Sequence, residues 1–373
     1  MSVLAPARVR RGRSGVGRID AVLATSALAL TVLGTLLVWA ATRPRLAGEG
    51  LDPQAYLKRH LITVAVGLAC CAGVAALRPR HLRTYAPAAY LASCAGLVAV
   101  LVVGSTVNGA RSWIALAGGF QLQPAELAKI GLILGLAAAL AAGPPRAAVL
   151  VLAGMPMALV LLQPDFGSTA ILAGTSLGVL GVSRVPARWL AALVLGAVVA
   201  AVLAVHLGAL KTYQLDRFRA FADPTADAQD TGYNTAQARI AVRAGGVTGT
   251  GLFRGARTNG RFVPEQHTDF VFTVAGEELG LLGGGTLIAL LGVILWCGTA
   301  IASRAPDEFG RLVAVGIVAW WALQAFVNIG MTLGIMPVTG LPLPFVSYGG
   351  SAMIANLTSL GLLLNVSRRS APR

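Results

Sequence analysis

Long apolar runs alternate with short polar segments along almost the whole chain. A transmembrane α-helix needs about 20 predominantly apolar residues, and ten runs come near that length or exceed it. These runs cover residues 20–41, 60–77, 85–103, 125–142, 147–162, 167–182, 189–210, 270–302, 308–334 and 346–366. Gln163-Pro164-Asp165 divides one apolar stretch into the fifth and sixth runs. The pattern predicts an all-α, polytopic integral membrane protein with about ten transmembrane helices.

One long polar segment, residues 211–269, separates the seventh and eighth runs. Within it, residues 213–223 and 233–243 carry apolar positions at helical spacing, which predicts two short amphipathic helices. Glycines then punctuate residues 245–255, as is typical of a turn-rich stretch. A loop of this length in a compact protein is usually functional, so we expect functional residues in or beside it.

The distribution of positive charge predicts the topology. The net charge is +15, and sixteen arginines fall in the terminal segments and short loops on one side of the ten runs. Basic residues mark the cytoplasmic side of a membrane protein, so both termini are expected in the cytoplasm and residues 211–269 outside. This topology explains the charge without nucleic-acid binding. It also divides the chain into a basic cytoplasmic segment (1–18), a transmembrane domain (19–368) and a cytoplasmic tail (369–373).

The composition and the cysteines further restrict the class of protein and the kinds of site that the chain can contain. The chain is 56% hydrophobic and only 12% charged, with a mean hydropathy of +0.73, whereas soluble domains are typically about 25% charged. All four cysteines lie inside predicted spans, which favours free buried thiols over disulfides or a metal site. No Gly-rich nucleotide loop, Cys/His metal spacing or Ser/His triad pattern is present.

Asp269 is the first candidate for chemistry. It ends the polar segment immediately before the eighth run, in the sequence Pro264-Glu-Gln-His-Thr-Asp-Phe270. A carboxylate at a membrane boundary is costly unless it is used, and such a group acts as a general base when a substrate hydroxyl comes within reach. His267 would tune it or orient a substrate. The alternatives are a helix cap formed by Thr268 or Asp269 and a surface imidazole at His267.

Glu126 and Lys129 form the second candidate group. They lie three residues apart at the start of the fourth run, which places them on one helix face. Pro124 suits the first turn of that helix. Lys129 would face an anionic headgroup, oriented by Glu126. The alternative is an ion pair that locks two helices together.

Further candidates lie in the loops of the expected outer side. Arg111 and Arg217 would supply guanidinium groups, which suit phosphate oxygens, although each alone is equally compatible with a headgroup contact. Residues 336–351 carry three prolines together with Ser347 and Tyr348. Non-helical backbone at the membrane edge must be covered or line a cavity, so this loop is expected to form one wall of an outward-facing site. Asp165 suits a helix cap.

Five motifs in order resemble the SEDS family, the polytopic proteins of bacterial shape, elongation, division and sporulation. The resemblance covers about residues 19–368 and is closer to the RodA branch than to the FtsW branch. The motifs are Asn108-Gly-Ala-Arg-Ser-Trp113, Gln123-Pro-Ala-Glu-Leu-Ala-Lys129, Gln163-Pro-Asp-Phe-Gly-Ser168, Pro264-Glu-Gln-His-Thr-Asp-Phe270 and Gly340-Leu-Pro-Leu-Pro-Phe-Val-Ser-Tyr-Gly-Gly-Ser351.

The resemblance implies a peptidoglycan glycosyltransferase that polymerises lipid II at the outer face of the bacterial cytoplasmic membrane. Asp269 would be the general base, and undecaprenyl diphosphate would leave, stabilised by Arg111, Lys129 and Arg217. A class B penicillin-binding protein, a transpeptidase, is the expected partner. No cofactor is implied with certainty, and a divalent cation stays open. The other residues expected to bind substrate are Glu126, Gln237, His267, Thr268, Ser347 and Tyr348.

The chain departs from the family pattern at two places in the outer loop. Arg243-Ala244 replaces a usual Gly-Ser pair, and Ala256-Arg257 alters a usual Gly-Thr-Gln-Thr-Gln run. Both changes add positive charge and affect the expected binding pose. Two other functions use the same features: a lipid II flippase, and a non-catalytic scaffold for a transpeptidase.

Overall fold

The computed structural model describes residues 13–107, 110–143, 146–206 and 231–369. Helices dominate these ranges, which confirms the all-α membrane class. The helices are α1 (Arg13–Gly48), α2 (Ala55–Ala76), α3 (Pro79–Val103), α4 (Pro124–Ala142), α5 (Arg146–Leu161), α6 (Phe166–Val182), α7 (Ala187–His206), α8 (Thr231–Ala244), α9 (Ala256–Asn259), α10 (Val271–Glu278), α11 (Gly280–Arg304), α12 (Glu308–Leu333) and α13 (Gly350–Arg369).

Within the described ranges, seven helices are long and apolar enough to cross a membrane, and α5, α6 and α7 contain shorter apolar helices. The protein is therefore a multi-pass membrane protein. The ten predicted runs fall on α1–α7, on α10 with α11, and on α12 and α13. The division between α5 and α6 is confirmed, and Pro124 occupies the first turn of α4 as expected.

The eighth predicted run is not one helix. α10 ends at Glu278, and α11 starts at Gly280, whose φ of +66° is in the left-handed region that favours glycine. A Cβ at Gly280 would collide with the backbone nitrogen of Gly249. The amides of Leu281 and Leu282 donate to loop carbonyls instead. The break therefore lets the polar loop pack directly against the helix junction.

A small antiparallel sheet, which the sequence did not predict, lies between α3 and α4. Its strands are β1 (Ser105–Val107), β2 (Ala110–Ala115) and β3 (Gln121–Leu122), paired in the order β1-β2-β3. Ser105 is opposite Trp113, and Ile114 is opposite Leu122. The sheet folds the segment between α3 and α4 over one end of the helix bundle.

The core is centred on α4, α12 and α13, whose apolar windows are the most buried of the candidate spans. Trp320 and Trp321 are almost completely buried on α12, and Trp321 packs edge-on against Phe345 with ring centroids 4.9 Å apart. Because Phe345 belongs to the loop between α12 and α13, this packing fixes that loop to the bundle. All four cysteines are free, as predicted.

Candidate active site

A cavity of about 500 Å³ opens at the end of the bundle that carries the small sheet. Five segments surround it: the start of α2, the sheet, the turn before α6, the segment before α10, and the loop from 337 to 352. The charged or titratable side chains on its lining, among the described residues, are Tyr56, Arg59, Asp165, Glu265, His267, Asp269 and Tyr348. Asp269, His267, Thr268 and Tyr348 were predicted as site residues, and the structure brings these four together.

Asp269 is held by its backbone. The amides of Thr268, Asp269 and Phe270 all point at the carbonyl of Glu265, at N–O distances of 3.0–3.3 Å. Glu265 has a positive φ of 52°, so the segment forms a compact turn. The N-cap position of α10 is Phe270, which directly follows Asp269. This turn presents the half-buried Asp269 side chain to the cavity.

The loop after α12 forms the adjoining wall of the cavity. Gly340 has a φ of +73°, and a Cβ there would lie 3.4 Å from Asp269 Oδ2, so the loop backbone passes directly beside the carboxylate. Tyr348 donates its amide to the His267 carbonyl at 2.8 Å. Ser347 is buried, and its Oγ accepts from the Leu343 amide at 2.8 Å. Ser347 therefore shapes the loop and lies outside the cavity lining.

His267 and Tyr348 meet Tyr56 in an aromatic cluster. The Tyr56 ring lies 5.0 Å from His267 and 5.1 Å from Tyr348, centroid to centroid, with edge geometry. Burial lowers the pKa of His267, while the nearby Glu265 opposes that change. Burial raises the pKa of Tyr348. A neutral imidazole and a protonated phenol are thus favoured on this side of the cavity.

Arg59 is the functional candidate that the sequence did not single out. It lies on the cavity lining, and its positive charge acts to lower the pKa of Tyr348 against the effect of burial. Within the described part of the chain, it is the one lining residue with a permanent positive charge. A signal existed in its spacing, because Tyr56, Arg59 and Thr63 share one helix face at the start of an otherwise apolar run.

Asp165 has the predicted capping role and also reaches the cavity. Its Oδ1 accepts from the Ser168 amide at 2.9 Å, and its Oδ2 accepts from the Ser168 hydroxyl at 2.7 Å. Gln123 donates to the same Oδ2 at 3.4 Å. These hydrogen bonds hold the Asp165 carboxylate at the start of α6. They also fix the turn that forms the floor of the cavity.

Glu126 and Lys129 lie outside the cavity lining. Both are almost completely buried, and Lys129 Nζ donates to Glu126 Oε1 at 2.6 Å. Nζ also donates to Gln324 Oε1 at 2.8 Å and lies 5.2 Å from the centre of the Trp320 ring. The ammonium is enclosed by α4 and α12. The helix-locking alternative describes this geometry, and the substrate contact stays a prediction.

Two other predicted site residues also lie outside the lining. Arg111 donates from Nε to the Gly104 carbonyl and from Nη2 to the Val102 carbonyl, each at 2.7 Å. Gln237 accepts a 2.8 Å hydrogen bond from Arg257. Because Arg257 is one of the departures from the family pattern, that departure produces a contact within the loop. Arg217 lies outside the described residues, as does the helix predicted at 213–223.

Glu277 and Glu278 have a role that was not expected. Glu277 accepts from the amides of Arg257 and Thr258 at 2.7 and 2.9 Å. Glu278 accepts from the amides of Phe253 and Gly255 at 2.8 and 3.4 Å. Both carboxylates therefore anchor the backbone of residues 253–258 to α10, and neither lines the cavity.

The described residues contain no group of three or more His, Cys, Asp or Glu side chains arranged to hold a metal ion. A requirement for a divalent cation therefore stays a prediction. Among the described residues, the cavity offers three carboxylates and one guanidinium on a concave, partly aromatic surface, an arrangement suited to a polar substrate.

Comparison with known proteins connects this geometry to a family. Residues 20–371 match the sequence model of the FtsW, RodA and SpoVE proteins, described as cell cycle proteins. A probable peptidoglycan glycosyltransferase FtsW of Halothiobacillus neapolitanus is 37% identical, with 97% of this chain and 89% of the relative covered. Peptidoglycan glycosyltransferase MrdB of Escherichia coli K12 is 36% identical, with 93% of each covered.

A chain from a solved peptidoglycan synthase complex, which coordinates polymerization and crosslinking, has a TM-score of 0.75 to this structure. The two are 33% identical, and the comparison covers 98% of this chain and 100% of the other. Relatives named FtsW and MrdB are similar to nearly the same degree, so closeness to the RodA branch stays a prediction.

Proposed function

The chain belongs to the FtsW/RodA/SpoVE family, and we propose from this premise that it is a peptidoglycan glycosyltransferase that polymerises lipid II. One observation carries the proposal: Asp269 lines a cavity of about 500 Å³, and the loop backbone at Gly340 lies directly beside its carboxylate. A carboxylate at the mouth of a cavity of this size has room for a sugar hydroxyl within hydrogen-bond reach.

In the proposed reaction, Asp269 accepts the proton of the 4-hydroxyl of the acceptor GlcNAc. The resulting oxygen nucleophile attacks the anomeric carbon of the donor and forms the new glycosidic bond. The bond between that carbon and the diphosphate oxygen breaks, and undecaprenyl diphosphate leaves. The configuration of the anomeric carbon is inverted. The backbone bonds around Asp269 support this role because a general base must be held in one place.

Charge that develops on the diphosphate is stabilised by cationic and hydrogen-bonding groups. Arg59 meets this requirement because it lines the cavity. Arg111 lies outside the lining and donates from Nε and Nη2 to backbone carbonyls, and Lys129 is enclosed between helices. We therefore place Arg59 first among the described cations for contact with the diphosphate, with Arg217 as a further candidate.

The site faces outward in this proposal. The cavity lies at the end of the bundle where residues 231–269 fold, and the arginine-rich termini and loops define the opposite side. The protein would then lie in the bacterial cytoplasmic membrane with both termini in the cytoplasm. A class B penicillin-binding protein is the proposed partner, in keeping with the similarity to a chain from a complex of polymerization and crosslinking.

The decisive experiment supplies fluorescent lipid II to the purified full-length protein, alone and with a class B transpeptidase. Formation of glycan polymer is expected. Movement of intact lipid II across proteoliposomes without polymer would favour the flippase. Polymer that depends entirely on the partner's own active site would favour the scaffold.

Sidedness is tested by cysteine labelling in a chain whose four native cysteines are replaced by alanine. A cysteine at the exposed Asn259 should react with an impermeant maleimide in intact spheroplasts. A cysteine at the exposed Ser303, at the other end of α11, should react only after permeabilisation. The reverse pattern would exclude an outward-facing site.

A further inference from the structure

A line of buried amides on α12 connects the interior of the bundle to both walls of the cavity. Gln324 and Asn328 lie four residues apart, on one face of the helix, and both are fully buried. A buried amide is costly unless its donors and acceptors are satisfied, so the partners of these two side chains indicate what the residues do.

Asn328 bridges the two cavity walls. Its Nδ2 donates to the Asp269 carbonyl at 2.7 Å and to the Leu341 carbonyl at 2.7 Å. Both partners are acceptors, so the NH₂ group must face them, since the oxygen would be repelled. One side chain thus fixes the backbone of Asp269 and that of the residue after Gly340 to a common point.

Gln324 extends the same arrangement one turn further into the bundle. Its Nε2 donates to the Pro342 carbonyl at 2.8 Å. Its Oε1 accepts from Lys129 Nζ at 2.8 Å and from Trp320 Nε1 at 2.6 Å. The Glu126–Lys129 pair therefore reaches the cavity wall only through the Gln324 amide.

Retention of Asn328 is not explained by packing. Its Oδ1 has no hydrogen-bond partner within the described part of the structure, and an unsatisfied buried acceptor costs about 1–3 kcal/mol. A leucine has the same number of side-chain heavy atoms and the same branching at Cγ, without that penalty. The amide is thus present for its two N–H donors, and both are used on the segments that flank the Asp269 carboxylate.

We propose that Asn328 is a positioning residue that sets the distance between Asp269 and the loop at Gly340, with Gln324 and Lys129 orienting that loop from behind. The inference rests on the proposed function, because its consequence is the placement of the general base against the acceptor hydroxyl. Lys129 then acts through Gln324 and not by touching the diphosphate. Misplacement of a reacting group by about 1 Å costs on the order of 100-fold in rate.

The test compares Asn328→Leu with Asn356→Leu in polymerisation of fluorescent lipid II by the purified full-length protein. Asn356 is a matched control, because it is also buried, has an Oδ1 without a described partner, and donates only to Ala352 on its own helix. Asn328→Leu should lower kcat by about 10- to 100-fold with KM changed less than about threefold. Asn356→Leu should stay within about threefold of wild type in both.

A pH profile separates positioning from a general loss of structure. In Asn328→Asp, an ionised carboxylate faces two carbonyl oxygens, but protonation restores one O–H donor. The ratio of variant to wild-type kcat should therefore rise as pH falls from 8 to 6, while the ratio for Asn328→Leu stays flat. If the leucine variant does not fold, Asn328→Ser, which keeps one donor, should give a kcat between the aspartate and wild-type values.

The outcomes are distinguishable. If the wild type forms polymer and Asn328→Leu has an undiminished kcat, the positioning role is overturned and the proposed function stands. The same holds for Asn328→Ser where it replaces the leucine variant. A flat pH ratio for Asn328→Asp also overturns the positioning role. Failure of the wild type itself to form polymer overturns the proposed function and this inference together.

Discussion

Two groups of carboxylates, only a few residues apart in the chain, behave in opposite ways. Glu277 and Glu278 on α10 are buried, and their oxygens accept from backbone amides of residues 253–258. Asp269, just before α10, is half-buried and lines the cavity. Burial and negative charge are thus not sufficient to place a carboxylate in the cavity. What distinguishes the two groups is that Asp269 belongs to the cavity lining, whereas Glu277 and Glu278 accept from loop amides outside it.

The largest expected effect comes from Asp269→Asn. The amide keeps the shape of the side chain but is not a base, so polymerisation should fall by at least about 100-fold. The unfolding temperature should stay within about 2 °C of wild type. Glu278→Gln is the control, and its folded fraction should retain most of the activity. Equal losses of activity in both variants would erase the distinction between the two groups.

A second comparison concerns the arginines. Arg59 lines the cavity, whereas Arg111 donates to two backbone carbonyls outside it. Arg59→Gln should lower kcat/KM by about 10-fold, equivalent to about 1.4 kcal/mol, which is modest for a charge-assisted contact. Arg111→Gln should change it by less than about twofold. A larger loss at Arg111, measured with lipid II titrations, would favour the original expectation from the sequence.

Glu277→Gln, a change in the group that anchors the loop, should lower the stability of the folded protein. It replaces one accepting oxygen with a donor that faces the amides of Arg257 or Thr258. A buried mismatch of this kind costs about 1–3 kcal/mol, which should lower the unfolding temperature by several degrees. Protease sensitivity of residues 245–260 should rise as well. A variant with wild-type stability would mean that the loop is held by other contacts.

The smallest expected effect is on the pH dependence of the unfolding temperature. Burial lowers the pKa of His267 below its ordinary 6.5, so the unfolded chain binds a proton more readily than the folded protein does. The stability from a neutral His267 is fully present above about pH 6.5 and declines as pH falls through that value toward the lowered pKa. Wild type should therefore lose more unfolding temperature between pH 7.5 and 5.5 than His267→Gln. Parallel losses would show that His267 does not titrate differently on folding.

Sequence patterns predicted the apolar runs, the break between α5 and α6, Pro124 in the first turn of α4, the cap at Asp165, and Asp269 at the end of the polar segment. These features depend on local composition and spacing. The contact between Lys129 and Gln324 could not be predicted, because Gln324 is 195 residues away and on another helix. The place of Arg59 on the cavity lining depends on how distant segments pack together, and the sheet required knowledge of pairing between strands of two to six residues.

The break at Gly280 has a consequence for how the chain enters the bilayer. α11 alone has 25 residues, which at 1.5 Å per residue span about 37 Å, more than the hydrocarbon thickness of about 30 Å. The translocation machinery can therefore insert 280–304 as a complete segment, without carrying Glu277 and Glu278 into lipid. Each acid at mid-membrane would oppose insertion by about 2.5–3.5 kcal/mol. α10 is then free to fold outside that segment, where backbone amides of residues 253–258 cover its carboxylates.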